Sequence, residues 1–379
     1  LKDNKFALIS HVLPPSWSGQ AVILGRLLKA FNKRNYHLLL STPNSIQTVA
    51  DNLQKYYIPN LPLRRYSAIF HIEVLLRSLI IFHILKNKGC KCIIAASGSL
   101  YDIPSAYYAS KLLNIGYFPY LFDDFVYQWM LPKQRAIALK YEQIIFPQAN
   151  GVFVPNEFMK EEIEKRLKVK ATIIRNLLDE EPAIKDYNKS KKDERINIVY
   201  SGAVYHVNNK SLRNLINALE QIGNKNITLH LYTAQDREVL LSYGIESPFV
   251  VYHSHVSYQE LKTILHNADI LFLPFSFSPE SFPVIRTSSP AKLGDYLASG
   301  TPILAHVPSN TFVNWYLNKH HCGIVVDQED NHKLIQSINT LISNDTLRKE
   351  LTYHAFQRAI HDFSPRNNQE IFIDLINNQ

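Results

Sequence analysis

The stretch "SYQELKTILHNADILFLPF", residues 257–275, sets a helix directly before a buried strand. Ser257 and Glu260 have the spacing of a capping box, in which each side chain bonds the other residue's backbone N–H. The apolar run from Asp269 to Phe275 reads as a strand. Downstream, "SSPAKLGDYLASGTPILA", residues 288–305, repeats the plan. Ser289 is a good N-cap, and Pro290 suits the first helical position, where no N–H is needed. Gly300 and Pro302 end the segment, and Ile303 to Ala305 reads as another short buried strand. Leu293 and Leu297 share one face, and Lys292 and Asp295 are neighbours three apart. The helix start expected at Ser288 to Ala291 would favour an anion.

The same alternation extends in both directions. Upstream, "INIVYSGAV" and "ITLHLYTA" are strands on either side of the helix "KSLRNLINALEQI". Downstream come the strand "GIVVD" and a final amphipathic helix that opens at Ser364 and Pro365. The N-terminal half has its own run, with strands at "KFALISHV", "YHLLLST", "KCIIAAS", "YFPYLFDD", "NGVFVPN" and "ATIIRN". Helices are expected at "QAVILGRLLKAFNKR", "IPSAYYASKLLNI" and "EFMKEEIEKRL". This order argues for parallel sheets covered by helices. The charged stretch "DEEPAIKDYNKSKKDER", which has no apolar period, is the linker candidate. The expected organisation is a domain over 1–180, a linker over 181–195, a second domain over 196–362 and a terminal helix over 363–379 that returns to the first domain. Ligands of open parallel sheets bind beyond the C-terminal strand ends, so a central cleft is the expected site.

Composition narrows the class. The chain has 379 residues, 46% of them hydrophobic and 20% charged, which is globular. With 41 basic and 33 acidic side chains the net charge is +8, a balance that suits a phosphorylated ligand or an anionic membrane surface. No basic run or zinc-finger spacing points to nucleic acid. Cys90, Cys92 and Cys322 are odd in number and lack metal spacing, so a reducing, cytoplasmic compartment is expected. No secretory signal and no transmembrane span is read. The most apolar segment runs from Ala68 to Lys91 and carries Glu73 and Arg77 four apart. It is expected to pack on the N-terminal sheet with those two charges as a wet edge. Arg64, Arg65, Lys86, Lys88 and Lys91 flank it, so a place in a membrane interface is the competing reading.

In this layout the chain resembles the two-domain GT-B glycosyltransferases, in particular the retaining, family 4-like enzymes that use nucleotide sugars. The resemblance implies an α/β fold of two Rossmann-like domains facing a central cleft. "PAKLGDYLASGTPILA" is similar to that family's Glu-Ala-x-Ala-x-Gly-x-Pro segment, with Asp295 in place of the glutamate that holds the nucleotide ribose. The backbone at Ser288 and Ser289 would meet the diphosphate. Thr287 stands where the family has the first acid of its Glu-x(7)-Glu pair. "IVYSGAVYHVNNK" resembles the strand with Gly-Arg … Lys. Gly202 matches, Ala203 replaces the arginine, and Lys210 is left as the catalytic cation for the departing diphosphate. The implied donor set also takes in Ser18, Gly19, Tyr232, His255, Val256 and Lys292. Asp123 or Asp124 would orient an acceptor hydroxyl or the sugar, and His11 ends the first strand.

The resemblance thus implies transfer of a sugar from a nucleotide-sugar donor to a glycan or lipid-linked acceptor, in bacterial surface polysaccharide or glycoconjugate synthesis. No metal and no cofactor beyond the donor is expected. The location implied is cytoplasmic, peripheral on the inner face of the membrane. Two alternatives share the fold: a hydrolysing sugar-nucleotide epimerase, and a catalytically silent nucleotide-binding partner subunit.

Overall fold

The computed structural model describes residues 5–13, 16, 18–41, 54–59, 69–182 and 195–377. It divides into two compact units. The first comprises Leu1–Asp179, Thr287–Ala291 and Pro365–Gln379, and the second Glu180–Arg286 and Lys292–Ser364. Most of the linker read at 181–195, together with Arg64 and Arg65, lies outside the described residues.

In the first unit the strands are β1 (Lys5–Ser10), β2 (Tyr36–Leu40), β3 (Lys55–Tyr57), β4 (Cys90–Ala96), β5 (Gly116–Tyr120), β6 (Val152–Val154) and β7 (Ala171–Ile173). All are parallel, in the order β3-β2-β1-β4-β5-β6-β7. The helices are α1 (Gly19–Leu28), α2 (Ile69–Leu85), α3 (Asp102–Leu113), α4 (Pro132–Ile145) and α5 (Glu157–Leu167).

In the second unit, β8 (Ile196–Ser201), β9 (Ile227–Tyr232), β10 (Val250–His253), β11 (Ile270–Pro274), β12 (Ile303–His306) and β13 (Ile324–Val326) are also parallel, in the order β10-β9-β8-β11-β12-β13. Its helices are α6 (Asn209–Ile222), α7 (Arg237–Ser242), α8 (Tyr258–Asn267), α9 (Phe282–Ile285), α10 (Lys292–Ala298), α11 (Phe312–Lys319), α12 (Asn331–Ser343) and α13 (Asp345–Asp362). The last helix, α14 (Pro365–Asn377), belongs to the first unit.

Burial explains the strand composition. β11 and β12 are buried at every position, so they read as unbroken apolar runs instead of alternating. α14 is held in the first unit by its aromatic face. Phe372 stacks on Phe153 at 4.9 Å and meets Phe6 and Phe31 edge-on. Asn368 accepts from the Arg175 N–H at 2.7 Å. In each sheet the strand order reverses once, between β1 and β4 and between β8 and β11. Such reversals open a crevice beyond the strand ends, where ligands of this architecture bind.

Three local readings change. The capping box of Ser257 and Glu260 forms as read. The helix expected from Ser289, however, begins at Lys292. Asn156 donates to the Thr287 carbonyl at 2.7 Å, and Asn176 donates to that of Ser289 at 2.6 Å. These bonds hold 287–291 outside the helix and within the first unit, so Ser289 is no N-cap and Pro290 no first helical residue. On α2 the expected sides are exchanged. Glu73 and Arg77 are buried, while Ile72, Leu75, Leu76 and Leu79 are exposed. The reason is tertiary: Arg77 donates to Asp102 Oδ1 at 2.6 Å and to Ser41 Oγ at 2.9 Å, and so meets its partners inside. Finally, β5 ends at Tyr120, and Asp123 and Asp124 lie beyond it.

Candidate functional site

The second unit gathers its site around the end of β8. Gly202 follows that strand with a φ of +126°, and its N–H donates to the Tyr232 carbonyl at 2.8 Å. A Cβ here would lie 2.8 Å from Lys292 Nζ, so only glycine combines this backbone with so close an ammonium. Lys292 Nζ stands 3.9 Å from the centroid of the buried Tyr200 ring. That ring is fixed by its hydroxyl, which donates to the Ala203 carbonyl at 2.6 Å and accepts from Asn208 at 2.9 Å. The geometry is a cation–π pair, a contact that strengthens where water is excluded. Among the described residues no carboxylate pairs with this ammonium. Desolvation lowers the Lys292 pKa from 10.5 to about 7.

Two tyrosines hold α10 in place. The Tyr296 hydroxyl accepts from the Ser201 N–H at 3.1 Å, which ties the helix to β8. The Tyr258 hydroxyl donates to Asp295 Oδ1 at 2.9 Å, which ties it to the start of α8. Asp295 and Lys292 thus sit on one short helix beside the β8 turn. At the end of β9 the Tyr232 ring lies parallel to His253, 4.2 Å away, and His253 in turn stacks on His230 at 5.2 Å. His255 is exposed and Val256 half-buried in the turn before α8. Lys210 stands apart: its exposed side chain pairs with Glu329 at 2.9 Å. A cavity of about 550 Å³ at the edge strand β10, lined by Arg237, Glu246 and Tyr252 among others, holds none of these residues.

The first unit forms a second group beyond β1, β4 and β5. Ser18 caps α1, accepting from the Ala21 N–H at 3.2 Å. A Cβ on Gly19 would lie 3.3 Å from that of Ala291, so the 287–291 segment packs against the start of α1. His11 rests against Gly98, where a Cβ would fall 2.0 Å from the imidazole. Burial lowers the His11 pKa against the opposing charge of Asp102. Asp123 accepts from Ser288 Oγ at 3.4 Å. Burial raises its pKa, and the neighbouring Asp124 adds to the rise while the Ser288 bond opposes it. Asp124 is differently placed. One oxygen accepts from the Val126 and Tyr127 N–H groups at 2.9 and 3.0 Å, and the other from Arg166 at 3.0 Å. That is the wiring of a structural cap, which leaves Asp123 as the acid of the pair suited to a substrate. Ser289 keeps its hydroxyl buried, without a hydrogen-bond partner among the described residues.

The structure therefore brings together Gly202, Tyr232, Lys292 and Asp295 in the second unit. In the first it brings together Ser18, Gly19, Asp123, Ser288 and Ser289. Sequence reasoning missed Tyr200 and Tyr258, ordinary aromatics whose importance lies in what they touch. Among the described residues, no group of three or more His, Cys, Asp or Glu side chains could hold a metal ion.

Residues 195–344 match the family model for glycosyl transferases group 1. No curated protein sequence matches the chain. Among solved structures, Anabaena HepE in complex with UDP and glucose aligns at a TM-score of 0.73 and 12% identity, covering 99% of this chain and 100% of that one. Sucrose-phosphate synthase from Thermosynechococcus elongatus aligns at 0.70 and 16%, covering 99% and 98%. The trehalose-6-phosphate synthase OtsA aligns at 0.69 and 12%, covering 99% of each chain. At such identities the likeness carries the fold, which is that of the GT-B glycosyltransferases.

Proposed function

We infer, from a glycosyl transferases group 1 domain over residues 195–344 and a GT-B fold, that this glycosyltransferase moves a sugar from a nucleotide diphosphate to a glycan or lipid-linked acceptor, with retention. The observation that carries the reading is the Lys292 ammonium, fixed over Tyr200 and against Gly202 with no carboxylate among the described residues to neutralise it. As the glycosidic bond to the donor breaks, negative charge builds on the leaving diphosphate. A cation already in place stabilises that charge without reorganisation. Asp295 is proposed to hold the ribose hydroxyls, and the Tyr232–His253 stack to offer its flat face to the base. Asp123 is proposed to orient the acceptor hydroxyl. Anabaena HepE, which shares the fold, binds UDP and UDP-glucose in its crystal structures, which makes a uridine nucleotide the first donor to try. The acceptor is proposed to be a surface-polysaccharide or glycoconjugate precursor, met at the membrane by a peripherally bound enzyme. The net charge of +8 supports that location. Among the described residues, no helix is long and apolar enough to cross a membrane.

A panel of nucleotide sugars tests the proposal. One of them is expected to raise the melting temperature and, with a membrane or glycan extract, to be consumed with release of its nucleotide. The anomeric configuration of the product, read by NMR, is expected to match the donor's. Stabilisation without turnover in any extract would point instead to a silent binding subunit.

In this reading the leaving-group role falls to Lys292 instead of Lys210. Lys210→Ala removes only an exposed ion pair, of the kind worth about 0–1 kcal/mol. Its kcat is expected to stay within about threefold of the parent. A hundredfold drop would return the role to Lys210.

A further inference from the structure

The α2 sequence "IFHIEVLLRSLIIFHIL" contains only two charged residues outside histidine, and the fold buries both. Arg77 is 0% exposed and ion-paired with the equally buried Asp102. The opposite side of the helix presents Ile72, Leu75, Leu76 and Leu79, with Ile72 and Leu79 each 53% exposed. An exposed apolar stripe on a helix whose charges are turned inward is the reverse of the usual surface pattern. α4 lies beside α2, joined through a 2.7 Å bond between His71 and the Tyr141 hydroxyl. Met130 and Leu131, just before α4, are exposed as well.

Charge on these two segments has one sign. Over 69–91 and 130–148, the side-chain charges that reach solvent are Lys86, Lys88, Lys91, Lys133, Arg135 and Lys140, all basic. The two acids of these segments, Glu73 and Glu142, are buried. A second copy of the chain would set like charge against like. An anionic bilayer supplies both an apolar boundary for the leucines and negative headgroups for the lysines.

We propose that the exposed face of α2, with α4 beside it, is the surface by which this protein lies on an anionic phospholipid membrane. The inference gives a surface to the membrane location in the proposed function. It rests on that location and not on the transfer chemistry.

The test uses the full-length protein and flotation with vesicles of phosphatidylcholine alone or with 30% phosphatidylglycerol. Binding is expected only with the anionic lipid, and at least tenfold less at 0.5 M than at 0.05 M salt. Leu75→Glu/Leu79→Glu alters only exposed positions and is expected to lower vesicle binding at least tenfold. Thermal stabilisation by nucleotide, measured on the same variant, is expected to be unchanged, which separates this surface from the donor site. Three results would overturn the proposal: a parent protein that does not bind anionic vesicles at low salt, a double variant that binds as the parent does, or a concentration-dependent dimer that the double variant dissociates. The last would make α2 an interface between copies.

Discussion

Lys292→Met is expected to lower kcat by about 10²–10³-fold, the usual loss when one fixed stabiliser of transition-state charge is removed. The donor KM should change less, because the charge on the diphosphate develops as the bond breaks. The pH dependence gives an independent signature. With a pKa of about 7, Lys292 in the free protein loses its proton as pH rises through neutrality. A bound diphosphate favours the charged form, so donor binding takes up a proton. Affinity should then fall above about pH 7, at up to roughly tenfold per pH unit. Lys292→Arg, charged at all these pH values, should flatten the profile.

Stability carries the opposite sign. Between about pH 7 and 10.5 the unfolded chain holds a proton that the folded one lacks, so the donor-free protein gains stability as pH rises through that window. Below it the full destabilisation is present. Lys292→Met should therefore melt higher than the parent near neutral pH while turning over far less. Calorimetry and steady-state rates on the same preparations check both halves. A methionine variant with parental kcat would remove Lys292 from the mechanism, and one less stable than the parent would overturn the desolvation of its ammonium.

Asp295→Ala is expected to weaken nucleotide binding by about 1.5–3 kcal/mol, the scale of a hydrogen bond to a charged group, or roughly 10- to 150-fold in Kd. Asp295 is held toward the start of α8 by the Tyr258 hydroxyl at 2.9 Å, so its carboxylate is oriented before any ligand arrives. Titration calorimetry with the nucleotide and with the free base distinguishes the ribose contact from base stacking. The loss should appear with the nucleotide and not with the base. Parental affinity in a variant with an unchanged circular dichroism spectrum would sink the ribose assignment.

Much of the fold is legible in local chemistry, and the departures share a cause. The parallel strands announce themselves as apolar runs because both faces are covered, as at β11. The α8 capping box is visible because both halves lie within one turn. Ser289 and Pro290 present equally good helix-start chemistry, yet Asn156 and Asn176, more than a hundred residues earlier in the chain, claim the neighbouring carbonyls. Arg77 has the spacing of a solvated charge with Glu73, and only Asp102 and Ser41 decide that it points inward. The same holds at the candidate site. Gly202 and Asp295 stand out by residue type and position. The ranking of Lys292 over Lys210 depends on Tyr200 beside one and Glu329 beside the other, which no local window contains.

The first unit is not one stretch of chain. It takes Thr287–Ala291 and Pro365–Gln379 from beyond the linker, and Phe372 packs its ring among Phe6, Phe31 and Phe153. The molecule therefore cannot be dissected at its linker. A fragment ending at Asp179 would expose an aromatic cluster built to be covered, and a fragment beginning after the linker would carry α14 with nowhere to bury its apolar side. Synthesis has the same constraint. The first sheet can assemble as it leaves the ribosome, but its core closes only when α14 has emerged, so completion of the first unit waits on residues 365–377.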